Sequence, residues 1–263
     1  MMTKTIFTIS AGRTGTAWLA EFLTRNQSTP CIHEPLEIED FGVAMPDIRL
    51  MRSFNTYGNN PEVQEFWRRK LEMISANDVY SETNHTLGKC GLIENLAESD
   101  LTGDATIIIL RRDLVKQAVS YLVRNDFGNI TIAWQWYLHP SYRKKIINPE
   151  PFLSKGQIGM ALWYCYEMEA RQAYYKRLYA DKMRMVEVKL DDIVKPDGAQ
   201  QFWSQLGGEG QCELPERKNE NRAEAPDALK AKIAQIVTSS NFDGDKLAKD
   251  AIAAGFSFTA NSS

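Results

Sequence analysis

Apolar and polar positions change their period several times along the chain, and each change predicts an element. Thr5 to Ser10 is β-branched and apolar, which predicts a short strand. From Thr16 on, Trp18, Leu19, Phe22 and Leu23 recur at helical spacing, so an amphipathic helix is expected. Pro30-Cys31-Ile32 predicts a second short strand that ends at His33-Glu34-Pro35. Residues 36–60 mix charges with Gly42, Pro46, Gly58 and an Asn pair, and are expected to run over the surface as a lid or substrate loop. Pro61 opens a helix with Val63, Phe66, Trp67, Leu71 and Ile74 on one face. Asp78 to Thr83 predicts a strand running into Asn84-His85-Thr86, and a helix is expected over about 87–97.

Ala105 to Leu110 is a continuous apolar run, the pattern of a strand buried on both faces of a parallel sheet. It ends in Arg111-Arg112-Asp113 and leads into a helix carrying Val115, Ala118, Val119 and Leu122. Residues 127–179 are rich in aromatics. From about Gln157 to Tyr179 they lie on a long helix, where they either pack on the sheet or form a stacking surface. The less regular stretch Trp134 to Pro140 is the first place to expect contacts with a bound molecule. Met183 to Leu190 alternates as a last strand, and a helix over 197–206 is ended by Gly207-Gly208. Polar residues 209–226 precede two amphipathic helices, about 225–238 and 243–254. No repeat or linker interrupts the pattern, so one domain over 1–263 is expected.

Bulk properties narrow the function. At 43% hydrophobic and 25% charged, the chain is an ordinary globular sequence with enough apolar residues for a full core. A net charge of -3 provides no overall basic field, which argues against general nucleic-acid binding but not against a small anion in a local cationic pocket. No apolar run reaches the length of a membrane helix, and Met1-Met2-Thr3-Lys4 leads straight into the first strand, so neither signal peptide nor anchor is expected. Cys31, Cys90, Cys165 and Cys212 form no C-x-x-C pair and read as reduced thiols of a cytoplasmic protein. His33, His85 and His139 have no metal-ligand spacing, so no zinc site is expected.

The candidate chemistry starts at Ser10-Ala11-Gly12-Arg13-Thr14-Gly15-Thr16, a turn with two glycines between strand and helix. Backbone N–H groups at a helix start, the helix dipole and close backbone approach at glycine make such a turn an anion site. Arg13 adds a fixed positive charge, and Thr14 and Thr16 add hydroxyls. The turn is not a Walker A loop, which places lysine directly after its last glycine. It resembles the 5′-phosphosulfate loop of the sulfotransferase family, whose common forms are K-S-G-T-T-W and R-S-G-T. Arg13, Thr14, Gly15, Thr16 and Trp18 fall on that pattern, and Ala17 departs from it. The family's 3′-phosphate motif, R-(D/N)-P-x-D-x-x-x-S, is matched in part: Arg112 and Ser120 stand eight residues apart, Asp113 follows the arginine, and Leu114 and Lys116 depart. Gln117 to Tyr121 is similar to the bacterial branch. The resemblance covers 5–25 and 105–124 well and 183–207 weakly.

This resemblance implies an α/β three-layer sandwich, a central parallel sheet flanked by helices, like the P-loop-containing nucleoside triphosphate hydrolases. It implies transfer of a sulfuryl group from 3′-phosphoadenosine 5′-phosphosulfate (PAPS) to a hydroxyl or amine of a small-molecule, sugar or lipid acceptor, leaving adenosine 3′,5′-bisphosphate and needing no metal ion. Gly12, Arg13, Thr14, Gly15, Thr16 and Ala17 would take the 5′-phosphosulfate, and Arg112 with Ser120 the 3′-phosphate. Holding one phosphate between those two requires the strand-to-helix turn to fold back. Trp18 would pack on adenine, or serve as a core tryptophan. Arg217 and Lys218, with Arg222, would close over the donor, or form a solvated charge run. Arg13 takes the family's catalytic cation position. Glu34, after the second strand, and His85, after the third, are both candidates for the general base. The alternatives are an ATP-dependent small-molecule kinase and a non-catalytic nucleotide-binding protein. Acceptor identity and oligomeric state are not encoded in these patterns.

Overall fold

Four short parallel strands form the centre of the molecule, and the loops at their C-terminal ends carry the charged motifs. The structure, a computed structural model, describes residues 4–128, 136–216 and 225–260. In chain order the elements are β1 (Thr5–Ile9), α1 (Thr16–Asn26), α2 (Ile48–Tyr57), α3 (Pro61–Ser75), β2 (Tyr80–Glu82), α4 (Leu92–Leu96), β3 (Ala105–Arg111) and α5 (Leu114–Val123). There follow α6 (Glu150–Leu153), α7 (Gly156–Tyr179), β4 (Arg184–Lys189), α8 (Leu190–Ile193), α9 (Pro196–Gln205), α10 (Asp227–Ser239) and α11 (Gly244–Ala253). The sheet runs β2-β1-β3-β4 with every pairing parallel.

Strand alternation sorts the core into two faces. Ile6, Ile108, Leu110, Val186 and Val188 pack on one side against Leu19, Phe22 and Leu23 of α1 and Phe202 and Trp203 of α9. Phe7, Ile9, Ile107 and Ile109 pack on the other against α2, α3, α4 and the C-terminal half of α7. The fold is therefore α/β in three layers, helices on either side of a parallel sheet. A third cluster joins Ala11, just past β1, to α5, the N-terminal half of α7 and Ile233 of α10.

The helix α7 links these regions. Its 24 residues span about 36 Å, and it belongs to the third cluster at one end and to the sheet face at the other. It is consequently buried nearly all round, with Trp163, Tyr164, Tyr166, Tyr174 and Tyr175 inside. Gln172 on this helix donates to the carbonyls of Ile9 (2.9 Å) and Leu110 (3.2 Å), clamping β1 to β3 where both strands end. No helix among the described residues is long and apolar enough to cross a membrane.

Three local expectations are corrected. Pro30-Cys31-Ile32 forms a single bridge, Ile32 to Glu82, and not a strand. Proline cannot donate to a ladder, and Ile32 lies exposed at the sheet edge, so only two bonds form, Ile32 N–H to Ser81 O and Thr83 N–H to Ile32 O, both 2.9 Å. The supposed surface excursion 36–60 contains α2, whose Leu50, Met51 and Phe54 are in the core. Asp47 caps it by accepting from Leu50 N–H at 2.7 Å, and Gly58 ends it. The helix expected over 87–97 is broken into a short turn at Leu87–Lys89 and α4, separated by Cys90 and by Gly91 at φ 84°. The Cys90 carbonyl accepts from the Trp67 indole at 2.5 Å, which draws it into a tertiary bond.

A buried carboxyl gives the fold a distinctive pH response. Glu94 is 5% exposed; Oε1 accepts from the Tyr175 hydroxyl at 2.9 Å, and Oε2 has no hydrogen-bond partner among the described residues. Burial pushes its carboxyl up to about 7. The folded state keeps this proton where the unfolded chain has lost it, so the contribution is complete below roughly pH 4.5 and lost as pH rises through about 7. Glu94→Gln should remove a pH-dependent change of about 3 kcal/mol over that window. Thermal melts of both proteins at pH 4.5, 6 and 7.5 check this: the wild-type midpoint should fall with pH more steeply than the variant's, and parallel curves would refute it.

Candidate active site

The chain leaves β1 for β2 on one side and then crosses back to β3 on the other. In open α/β sheets, ligands bind at the C-terminal ends of the strands where the order reverses in this way. Here that crevice lies between β1 and β3, and the loop 10–16 follows one strand while Arg112 follows the other. The loop closes tightly through two left-handed residues, Arg13 at φ 58° and Gly15 at φ 99°. Only glycine suits position 15, because an added Cβ would also stand 2.6 Å from the Leu190 side chain. Helix α1 then begins at Thr16 with no side-chain cap and no acidic residue in its first turn. A helix start of this kind, with no cap or acid of its own, favours an anion.

The peptide of Gly12 fixes the loop. Its N–H donates to the Tyr164 hydroxyl at 3.0 Å, and its carbonyl accepts from Gln117 Nε2 at 2.9 Å and from the Tyr121 hydroxyl. Gln117 also donates to Thr14 Oγ1 at 2.8 Å, and Thr14 donates to Ala11 O at 2.6 Å. The Thr14 hydroxyl is thus used inside the loop. Thr16 Oγ1 donates to Glu34 Oε1 at 3.5 Å. Ala17 lies half-buried in the first turn of α1, and Trp18, also half-buried, stacks on Phe22 with ring centres 5.4 Å apart.

The second motif folds back onto the first. Arg112 Nη1 donates to Arg13 O at 2.9 Å, and the buried Ser120 accepts from Arg13 Nε at 3.2 Å. Arg112 and Ser120 therefore both meet Arg13, one at its carbonyl and one at its guanidinium. Burial lowers the Arg112 pKa and the nearby Arg13 charge adds to this, while Asp191 opposes it. Two cations held close in a half-buried crevice are relieved by an anion between them.

Across Thr16 lie both base candidates. Glu34 Oε1 is 3.9 Å from His85 Nε2, so the bridge between Ile32 and Glu82 brings together residues 51 positions apart in sequence. His33 Nδ1 is instead within 2.9 Å of Thr83 O and tied to backbone. His85 stacks on Tyr137 at 5.7 Å, and burial, followed by the Lys89 charge, holds its imidazole well below the usual range. Among the described residues, four that are not glycine have positive φ: Arg13, Glu34, Asn125 and Asn241. Asparagine tolerates that conformation; arginine and glutamate do so at a cost, and both stand at this site.

Sequence reading missed Gln117, Tyr121, Tyr137, Tyr164 and Lys89, which build the floor of the site. Gln117 and Tyr121 were visible as part of the second motif, and Lys89 stands four residues after His85, but nothing in the sequence linked Tyr137 or Tyr164 to the loop. Arg217, Lys218, Arg222 and Trp134 lie outside the described residues. Chemically, the arrangement sets fixed positive charge and an open helix start beside a carboxylate–imidazole pair. It suits transfer of an anionic group with removal of one proton.

The closeness of the floor is testable at Gly12. A Cβ there would meet Tyr137 Cε1 at 2.5 Å, and that ring is locked against His85, Tyr121, Phe127 and Tyr164 with centres 5.1–5.7 Å apart. Gly12→Ala should cost about 1–3 kcal/mol by overpacking. At this size the melting midpoint should fall by at least about 2 °C. An unchanged midpoint in a thermal melt would refute the close approach.

No family model and no curated protein matches the sequence. Among solved structures, the chain is similar to a sulfotransferase from Alicyclobacillus acidocaldarius, with 15% sequence identity and a TM-score of 0.49. The similarity covers 94% of this chain and 95% of that one. So distant a likeness carries no chemistry, and function rests on the geometry of the site itself.

Proposed function

We propose that this chain is a sulfotransferase, moving a sulfuryl group from 3′-phosphoadenosine 5′-phosphosulfate to a hydroxyl or amine of a small-molecule, sugar or lipid acceptor. One observation carries the reading: Arg13 and Arg112 meet at the reversal of strand order, and the Glu34–His85 pair stands one threonine hydroxyl away. The residues fit an anionic donor, because α1 has no side-chain cap and no acid in its own first turn, and both cations converge beside it.

The bound donor would supply the transferable sulfuryl group. The loop from Gly12 to Ala17 and the start of α1 would hold its 5′ end, Arg112 and Ser120 its 3′-phosphate, and Trp18 would offer a ring to the base. Arg13 places a fixed charge where the departing phosphate becomes more negative, so it stabilises the transition state more than the ground state. One such donor contributes roughly 3–4 kcal/mol. A guanidinium gives up its proton too reluctantly for general-acid work, which leaves Arg13 the electrostatic role. Glu34 and His85 are the groups placed to take the acceptor's proton. The loop lacks the lysine after its last glycine on which ATP-dependent P-loop enzymes rely, which argues against a kinase.

Thermal unfolding with adenosine 3′,5′-bisphosphate, compared with ATP plus Mg²⁺ and with 5′-AMP, tests the binding half. A ligand at a hundred times its dissociation constant stabilises by about 2.7 kcal/mol, a shift of several degrees here. A shift with the bisphosphate alone supports the proposal; a shift with ATP and Mg²⁺ alone, or with none of the ligands, overturns it. For the chemical half, Arg13→Ala should lower turnover from PAPS by about 10²–10³-fold with little change in acceptor KM. Near-normal turnover would remove Arg13 from the mechanism.

A further inference from the structure

Lys89 is a fully buried cation for which the proposed chemistry has no direct use. Its Nζ lies 2.7 Å from His85 Nδ1, 2.7 Å from the Trp136 carbonyl and 2.9 Å from the Tyr164 hydroxyl. Three acceptors around one nitrogen match the three N–H donors of an ammonium and leave none over. The rings of Tyr137 and Tyr164, 5.5 and 5.2 Å away, add electron-rich faces to the same pocket. Burial holds its pKa well below the usual lysine range; Glu34 opposes this and the Arg171 charge adds to it.

The opposite edge of His85 meets the reverse chemistry, with Nε2 facing the Glu34 carboxylate at 3.9 Å. Arg13 and His33 also act on this ring by their charge, and the Tyr137 phenol stacks on it at 5.7 Å. A neutral imidazole carries a single N–H. With a donor at Nδ1 and an acceptor at Nε2, both neighbours place that proton on Nε2.

We infer that Lys89 is a positioning residue: it holds His85 in the Nε2–H tautomer, so that His85 supports Glu34 and Glu34 is the group that accepts the proton. The catalytic consequence rests on the sulfotransferase reading; the tautomer does not. In the transfer step the new bond forms between the acceptor oxygen or nitrogen and sulfur. The bond from sulfur to the bridging oxygen breaks, its electron pair leaves with the phosphate, and the acceptor's proton passes to a Glu34 carboxylate oxygen. Through Tyr164, which also accepts from the Gly12 N–H at 3.0 Å, the same ammonium joins the base to the anion loop.

Nitrogen-15 NMR of the full chain labelled at its three histidines tests this without any ligand, with His33→Gln and His139→Gln used for assignment. At neutral pH the wild type should show a pyrrole-type Nε2 and a pyridine-type Nδ1 for His85. Lys89→Met should shift that signal toward a mixture of tautomers while the other two histidines stay in place. A pyrrole-type Nδ1 in the wild type overturns the inference, and so does an unchanged pattern in the variant; the first measurement needs no variant to fold. With PAPS and an acceptor, Lys89→Met should lower kcat/KM at least ~10-fold and move the acid limb of its pH profile upward. A uniform loss at every pH would mark a merely structural lysine. Glu34→Gln should cost more turnover than His85→Gln, which keeps a donor facing Glu34, and the reverse order also overturns the inference. The two failures are separable, because the histidine spectra report on Lys89 with no donor present and the bisphosphate melt reports on the anion site without His85.

Discussion

The site depends on the peptide of one residue, Gly12. Its N–H and carbonyl are both taken by side chains from helices far along the chain, Tyr164 on α7 and Gln117 and Tyr121 on α5. A backbone held from two directions cannot relax, and this allows the next residue, Arg13, to stay left-handed with its carbonyl on Arg112 and its guanidinium on Ser120. Strain at Arg13 is of the order of 1–3 kcal/mol, which the surrounding bonds must over-determine. The aromatic floor supplies much of that rigidity. Tyr121, Phe127, Tyr137 and Tyr164 pack in edge-to-face and tilted pairs within one cluster, and each of these rings is buried.

The sheet was legible in the sequence wherever burial is uniform. The run at Ala105 to Leu110 is apolar because β3 is central and covered on both faces, and its neighbour β1 shows the same pattern more briefly. The helix α7 was legible from its length, although it has no one-sided apolar stripe, because it is buried nearly all round. The helix α2 was hidden: Arg49, Arg52 and the nearby glycines read as surface, while Leu50, Met51, Phe54 and the polar Asn55 are buried. Local sequence records which residues are apolar, but not which neighbour will cover a half-apolar segment. The same limit produced the strand expected at 30–32, where an apolar triplet sits at an edge that has room for one bridge only.

Within the site, the loop motif was legible because its chemistry is local: two glycines, one cation and a helix start within seven residues. The second motif was legible as a spacing, but its partner was not. Arg112 and Ser120 were expected to hold one phosphate between them with the turn folded back, and both meet Arg13, because β1 and β3 are adjacent and in register and the loops leaving them must touch. The meeting of Glu34 with His85 was invisible for the same reason. It follows from the register that puts Phe7 beside Glu82 and Ile32 beside the same residue, a fact of pairing and not of either local sequence.

These pairings make the two halves of the site one mechanical unit. Lys89 reaches His85 on one side and Tyr164 on the other, and Tyr164 reaches Gly12. Thr16 closes the circuit from the loop to Glu34. A shift of the loop toward or away from an anion is therefore felt at the carboxylate through two routes, a hydroxyl and a buried ammonium. In a reaction where charge must leave one end as a proton leaves the other, holding both ends on one rigid frame fixes their separation before the substrates arrive. The buried lysine is costly to desolvate, and only its full set of hydrogen bonds offsets that cost. Its three filled hydrogen bonds make sense as the link that such a frame requires.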